Sequence, residues 1–281
     1  MKAKSLTRIN VLIVVVLSAL SWCDRAASAA SPTSTTAAVR GSATKGKSVS
    51  TELKQPPKWL ETCNQLAPCT SLLCSLAPLS TILHVSRTNS VGSLPLLPYS
   101  SMIANGFVWA LYGHLARLPN VKWSNIIGIM LGSYYFKEWT GAASASVSGA
   151  IPYHKLAITW IVLINSFVAA RLPRKVATEI VGKEGVFVFV LLFASPLSAL
   201  KGVIASKSAA AIPLPFTVAS TINCSLWSVV GLLLMNDFNI YFPSMLGLLC
   251  AMIQLFLKGI YGDGVGSMKR RNSLEMLGQV A

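Results

Sequence analysis

Acidic residues are what this chain has least of. Nine Asp and Glu stand against 24 Lys and Arg in 281 residues, a formal net charge of +15, and charged residues of all kinds make up 12%. A soluble domain carries about 25% charged residues. The shortage therefore excludes an ordinary soluble globule and points to an integral membrane protein, as does a mean hydropathy of +0.59. The basic surplus does not make a nucleic-acid binder. Many basic residues lie in the first sixty residues and the rest flank apolar runs, where topology signals and lipid-facing rims belong. Paired carboxylates and a nucleophile are missing from the apolar runs, so no catalytic site is read and an enzyme is not expected. The six cysteines, Cys23, Cys63, Cys69, Cys74, Cys224 and Cys250, lack metal-ligand spacing. They read as small hydrophobes in helices, with a disulfide left open only for Cys63 and Cys69 near a helix start. Neither a cofactor nor a metal is expected.

The first sixty residues stand apart. Residues 1–30 read as a signal peptide: Lys2, Lys4 and Arg8 are followed by an apolar run from Val11 to Trp22, too short to span comfortably, and by the small residues Ala27-Ser28-Ala29. An uncleaved anchor is the competing reading. Residues 31–58 are rich in Ser, Thr and Ala, carry one acid, Glu52, and show no apolar period, so they read as disordered. Together the two stretches form either a two-part leader for the envelope of a complex plastid or a lumenal tail on a plasma-membrane or endomembrane protein. Both readings enter the secretory route.

Beyond Trp59 the apolar residues gather into seven segments: Thr62 to Val85, Leu97 to Leu115, Trp123 to Trp139, Tyr153 to Ala170, Gly185 to Ala205, Ile212 to Met235 and Phe238 to Tyr261. Each is near the roughly 20 residues that a bilayer helix needs, and none alternates like a barrel strand. The chain also repeats itself. At an offset of 118, Pro78 falls on Pro196, Ser90 on Ser208, Pro95 on Pro213, Asn105 on Asn223, Trp109 on Trp227 and Gly113 on Gly231. At 119, Asn125 falls on Ser244 and Gly128 on Gly247. The expected fold class is an all-α membrane protein of seven transmembrane helices, arranged 3+1+3. A first triple-helix bundle covers residues 62–139, a linker helix 153–171, a second bundle 185–261 and a cytosolic tail 262–281. A duplicated membrane triplet is the mark of a transporter with its site at the repeat interface.

A cleaved signal and seven spans place the C-terminus in the cytosol, and the basic residues follow the positive-inside rule weakly. Trp59, Trp123, Tyr134, Tyr135, Trp139, Tyr153 and Tyr261 stand at segment ends, as an aromatic belt would. Mid-segment charge is absent: Glu61, Glu138, Glu179, Glu184 and Asp237 are read at ends or in loops. That argues against proton coupling and against a charged substrate, since either needs a charged group within the span. The polar groups left inside are Asn105, Trp109, Asn125, Asn223, Trp227 and Ser244. Asparagine both donates and accepts, as a sugar hydroxyl does, and an indole face stacks on sugar C–H groups. Asn105 and Asn223 read as helix-packing amides rather than ligands. The sequon Asn223-Cys224-Ser225 lies inside a segment and should stay unmodified.

At these residues the chain resembles a known family. Pro98-Tyr99-Ser100-Ser101-Met102-Ile103-Ala104-Asn105-Gly106-Phe107-Val108-Trp109-Ala110-Leu111-Tyr112-Gly113 is similar to the second helix of the SWEET (MtN3/saliva) sugar uniporters. Ala194-Ser195-Pro196-Leu197-Ser198, with Lys207-Ser208, resembles their fifth helix and loop. Parallel repeats about an axis normal to the membrane are already known for that family. The resemblance implies facilitative transport of a neutral mono- or disaccharide by alternating access. It implies substrate-binding residues Asn125, Ser244, Trp109 and Trp227, and hinge prolines Pro78, Pro98, Pro196 and Pro213. Pro243-Ser244-Met245 departs from the family's Pro-Asn-Gly. A PQ-loop-type carrier or receptor for another neutral solute is the alternative, although Pro78-Leu79 and Pro196-Leu197 stand where that branch has Pro-Gln. Beyond substrate, the expected partner is the lipid bilayer. A homo-oligomer is left open and nucleic acid is excluded.

Overall fold

Helices fill the chain wherever the apolar segments run. The computed structural model describes residues 56–210 and 212–262; the leader and the C-terminal tail expected above lie outside them. In chain order the helices are α1 (Lys58–Leu76), α2 (Leu79–Thr88), α3 (Leu97–Leu115), α4 (Pro119–Ala142), a short α5 (Ala145–Ser148), α6 (Ile151–Arg171), α7 (Arg174–Ser206), α8 (Leu214–Val229) and α9 (Phe238–Tyr261). A π-helical turn, Val230–Met235, prolongs α8.

The starts and stops follow local chemistry. Proline occupies the first turn of α3, α4, α6 and α8, where its missing N–H costs nothing and its fixed φ suits the helix. Asp237 caps α9 by accepting from the Asn239 backbone N–H at 3.0 Å. Left-handed residues end α2 at Asn89 (φ 50) and α7 at Lys207 (φ 49).

Two helical hairpins, α3–α4 and α8–α9, are built alike. A Cβ on Gly113 would meet the backbone N of Lys122 at 2.6 Å, and one on Gly231 would meet that of Tyr241 at 2.9 Å. Only glycine lets the paired helices approach so closely. Gly113 and Gly231 are repeat partners at 118, and Lys122 and Tyr241 at 119, so the sequence duplication is also a duplication of backbone geometry. The remaining contacts match in pairs as well. α1 packs on α4 as α7 packs on α9, and α1 packs on α8 as α7 packs on α3. Helix α6 lies outside these pairs, against α3 and α7.

Four helical runs among the described residues are long and apolar enough to cross a membrane: Lys58–Thr88, Ala145–Arg171, Leu214–Met235 and Phe238–Tyr261. Helices α3 and α4 stand outside that set. α3 carries Ser100, Asn105 and Tyr112 on a largely buried surface. α7 opens on a charged stretch from Arg174 to Glu184. That stretch corrects the sequence reading: α7 begins eleven residues before the expected Gly185, so Glu184 lies inside a helix, not at an end or in a loop.

The four prolines expected as hinges fall in different places. The Ala77-Pro78 step breaks the first segment into α1 and α2. Pro196 lies within the backbone of α7. Pro98 sits in the first turn of α3 and Pro213 at the N-cap of α8, so neither interrupts a helix. Pro68 in α1 and Pro243 in α9 do lie inside helices. There a proline removes a backbone hydrogen bond and kinks the helix, and neither was named as a hinge from sequence. Among the described residues Cys63 and Cys69 are not bridged, so the disulfide left open for them is absent.

Candidate functional site

A cavity of about 240 Å³ opens between the two repeats, and α1, α3, α4, α7, α8 and α9 all contribute to it. All four expected substrate-binding residues line it: Trp109 from α3, Asn125 from α4, Trp227 from α8 and Ser244 from α9. They converge because each hairpin crosses tightly at its glycine, which turns the indole of one helix and the polar residue of the next towards the same space.

The two polar residues are held the same way. Asn125 Nδ2 donates to the Val121 carbonyl at 2.8 Å, and Ser244 Oγ donates to the Ile240 carbonyl at 2.7 Å. Each bond runs one turn back along its own helix. Asn125 keeps its second amide hydrogen and its Oδ1 free of partners among the described residues, whereas Ser244 has only oxygen lone pairs left to offer.

The two indoles are held differently. Trp109 Nε1 donates to Asn105 Oδ1 at 3.2 Å, one turn back in α3. Trp227 Nε1 instead crosses to α1 and donates to Ser71 Oγ at 2.8 Å. Ser71 Oγ lies 2.9 Å and Thr70 Oγ1 3.0 Å from Asn223 Oδ1, and both hydroxyls donate to it. Asn223 is thus a helix-packing amide, as its sequence context suggested, although it also borders the cavity. Asn105 is not: its recorded bond stays within α3. Tyr112 packs edge-on against Trp109, ring centres 5.6 Å apart at 85°. Gly185 of α7 backs the same indole closely: a Cβ would lie 3.2 Å from the ring.

The cavity's remaining wall includes residues that sequence reasoning missed: Ser71, Ser75 and Cys74 from α1, Ser124 from α4 and Phe189 from α7. Serines in apolar helices give no periodic signal, and only their shared cavity singles them out.

One end of the cavity is closed by polar bonds between the repeats. Tyr112 Oη donates to Asp237 Oδ2 at 2.6 Å and accepts from Asn239 Nδ2 at 3.2 Å. Arg174 of α7 donates to the carbonyls of Leu115 and His114 at the end of α3, at 2.7 and 3.1 Å. Tyr112 and Asp237 are 125 residues apart, and nothing in the sequence pairs them.

A family model described as "Sugar efflux transporter for intercellular exchange" (MtN3_slv) matches residues 64–138 and 179–263. The chain belongs to the MtN3/SWEET family. Similar proteins include the sugar transporter SWEET1 of Dictyostelium discoideum, 30% identical over 194 residues, which cover 66% of this chain and 86% of that protein. The bidirectional sugar transporter SWEET4 of Oryza sativa subsp. indica is 29% identical over 200 residues, covering 68% of this chain and 76% of that one. A solved structure, titled as the 3.7 Å resolution structure of a eukaryotic SWEET transporter, superposes with a TM-score of 0.66 at 23% identity, over 72% of this chain and 96% of that chain. That likeness shows a shared fold. SWEET proteins are transporters rather than enzymes, and this chain is an integral membrane protein.

Proposed function

We propose that this SWEET-family chain carries a neutral sugar across the membrane by facilitative uniport, through alternating access between two three-helix bundles joined by α6. The bundles are the first and second repeats, residues 62–139 and 185–261 with the earlier start of α7 added. The observation that carries the reading is the inter-repeat cavity that Asn125 and Ser244 line together with Trp109 and Trp227. Amide and hydroxyl groups hydrogen-bond the sugar while the indoles stack on its C–H faces. Family membership supports the substrate class: the relatives named above are called sugar transporters.

The polar fastening of one end supports alternating access. The Tyr112–Asp237–Asn239 bonds join the repeats there, as closure of that gate requires. By the expected topology the bonded end is the outer one, so this state faces the cytosol. The exchange to the outward state breaks those bonds and closes the inner end, with Pro78 and Pro196 as pivots.

Uptake of labelled glucose and sucrose in a transporter-deficient host, with the leader removed, tests the proposal. Saturable uptake that survives a proton uncoupler and falls about tenfold in Asn125→Ala is the expected result. Full surface expression without uptake of either sugar would overturn the sugar assignment.

A further inference from the structure

The two connectors that lead into α3 and α8 are copies of one another. Each opens on a left-handed residue, Asn89 (φ 50) or Lys207 (φ 49). Each then makes the same turn. The Leu94 N–H donates to the Val91 carbonyl at 3.0 Å, and the Ile212 N–H donates to the Ala209 carbonyl at 3.0 Å. The apolar packing beneath them is duplicated too: Ile82, Val85 and Val91 share one buried cluster, and their repeat partners Leu200, Val203 and Ala209 share another. A side chain near the end of the hairpin's second helix then reaches each connector. Trp139 Nε1 of α4 donates to the Leu94 carbonyl at 3.1 Å, and Lys258 Nζ of α9 donates to the Ile212 carbonyl at 3.1 Å. Leu94 and Ile212 are repeat partners at 118, and Trp139 and Lys258 at 119. The acceptor is thus the same backbone atom in both repeats, while the donor is an indole in one and an ammonium in the other. Lys258 also donates to the Ala209 carbonyl at 2.9 Å.

These bonds stand at the end of each hairpin opposite its glycine. Gly113 and Gly231 bring the paired helices together where the first finishes and the second begins. Trp139 and Lys258 tie the other end, where α3 and α8 begin and α4 and α9 finish. The cavity residues lie between the two pins. Asn125 precedes Trp139 by fourteen residues, and Ser244 precedes Lys258 by fourteen, about 21 Å along the helix axis in each case. We propose that Trp139 and Lys258 are matching positioning residues: each closes its hairpin into a frame pinned at both ends, which holds Trp109 in register with Asn125, or Trp227 with Ser244, while the repeats move. The inference rests on the sugar site proposed above and says what keeps each half of it intact. The two ties differ in kind. Trp139 is 3% exposed and locked in its cluster. Lys258 is half-buried on a flexible stem, and its charge strengthens both of its bonds to carbonyls.

Hydrogen exchange and sugar uptake, both on the full chain in lipid, test the tie and its purpose separately. Lys258→Met keeps most of the side chain's length and removes its donors. It should quicken exchange of the Ala209 and Ile212 amides by about tenfold and leave the Leu94 amide unchanged. Trp139→Phe should do the reverse. In uptake, Lys258→Met should raise KM about fivefold with Vmax held, and Lys258→Arg should return both exchange and KM to the wild-type values. A merely structural loss would lower Vmax through the amount of folded carrier and leave KM alone. Should Trp139→Phe fail to fold, the two Lys258 variants decide. Exchange that Lys258→Met does not quicken, or quickened exchange with KM unmoved, overturns the proposal. A wild type that takes up neither glucose nor sucrose defeats the sugar reading instead, and exchange alone then judges the ties.

Discussion

The two repeats meet the central cavity with the same residues and use them differently. In the first repeat, Trp109 and Asn105 satisfy one another within α3. In the second, Trp227 and Asn223 spend their polar atoms on Ser71 and Thr70 of the opposite repeat. Duplication fixed the backbone, down to the matching glycines of the two hairpins, while the polar work was divided. One indole–amide pair is left loose beside the cavity, and the other stitches the halves together. The repeat therefore predicts position well and role poorly.

Four measurements press on that comparison, from the largest effect to the smallest. The hairpin glycines are where the repeats should behave alike. Gly113→Ala and Gly231→Ala both force a Cβ into backbone, and each should destabilise by about 3 kcal/mol or reduce folded yield outright. Thermal unfolding that is unchanged in either one would show that the crossings are looser than described. The indoles are where the repeats should differ. Ser71→Ala strands the Trp227 N–H and should cost about 1–3 kcal/mol, whereas Asn105→Leu, which breaks a bond within one helix, should cost less. Equal losses in Tm would erase the asymmetry. Within the cavity, Asn125→Ala should lower transport about tenfold, the equivalent of about 1.4 kcal/mol of ligand hydrogen bonding, with stability unchanged. Ser244→Asn makes the two polar positions alike, and should raise apparent sugar affinity a few-fold in competition assays.

How far the sequence could be read depended on the range of the signal. The bounds of α3 and α9 were legible to the residue, because Pro98 in a first turn, the Asp237 cap and Gly262 beyond Tyr261 are local marks. The cavity residues Trp109, Asn125, Trp227 and Ser244 were legible because the repeat and the family pattern place them. The start of α7 was not. From Arg174 to Glu184 charged residues are frequent, and hydropathy reads such a stretch as loop, although Ala177 and Val181 on one face are fully buried. The Tyr112–Asp237 bond was beyond reach for another reason, since partners 125 residues apart leave no periodic trace.

The break at Ala77-Pro78 divides the labour of one membrane segment. Above it, α1 packs on both α8 and α4 and supplies Ser71, Cys74 and Ser75 to the cavity; below it, α2 packs chiefly on α4 of its own repeat. On the proposed alternating-access reading this is a lever with its fulcrum at the depth of the cargo. The lower limb would swing while the upper limb kept its grip on the other half of the molecule, so a short stroke on one side need not loosen the joint on the other.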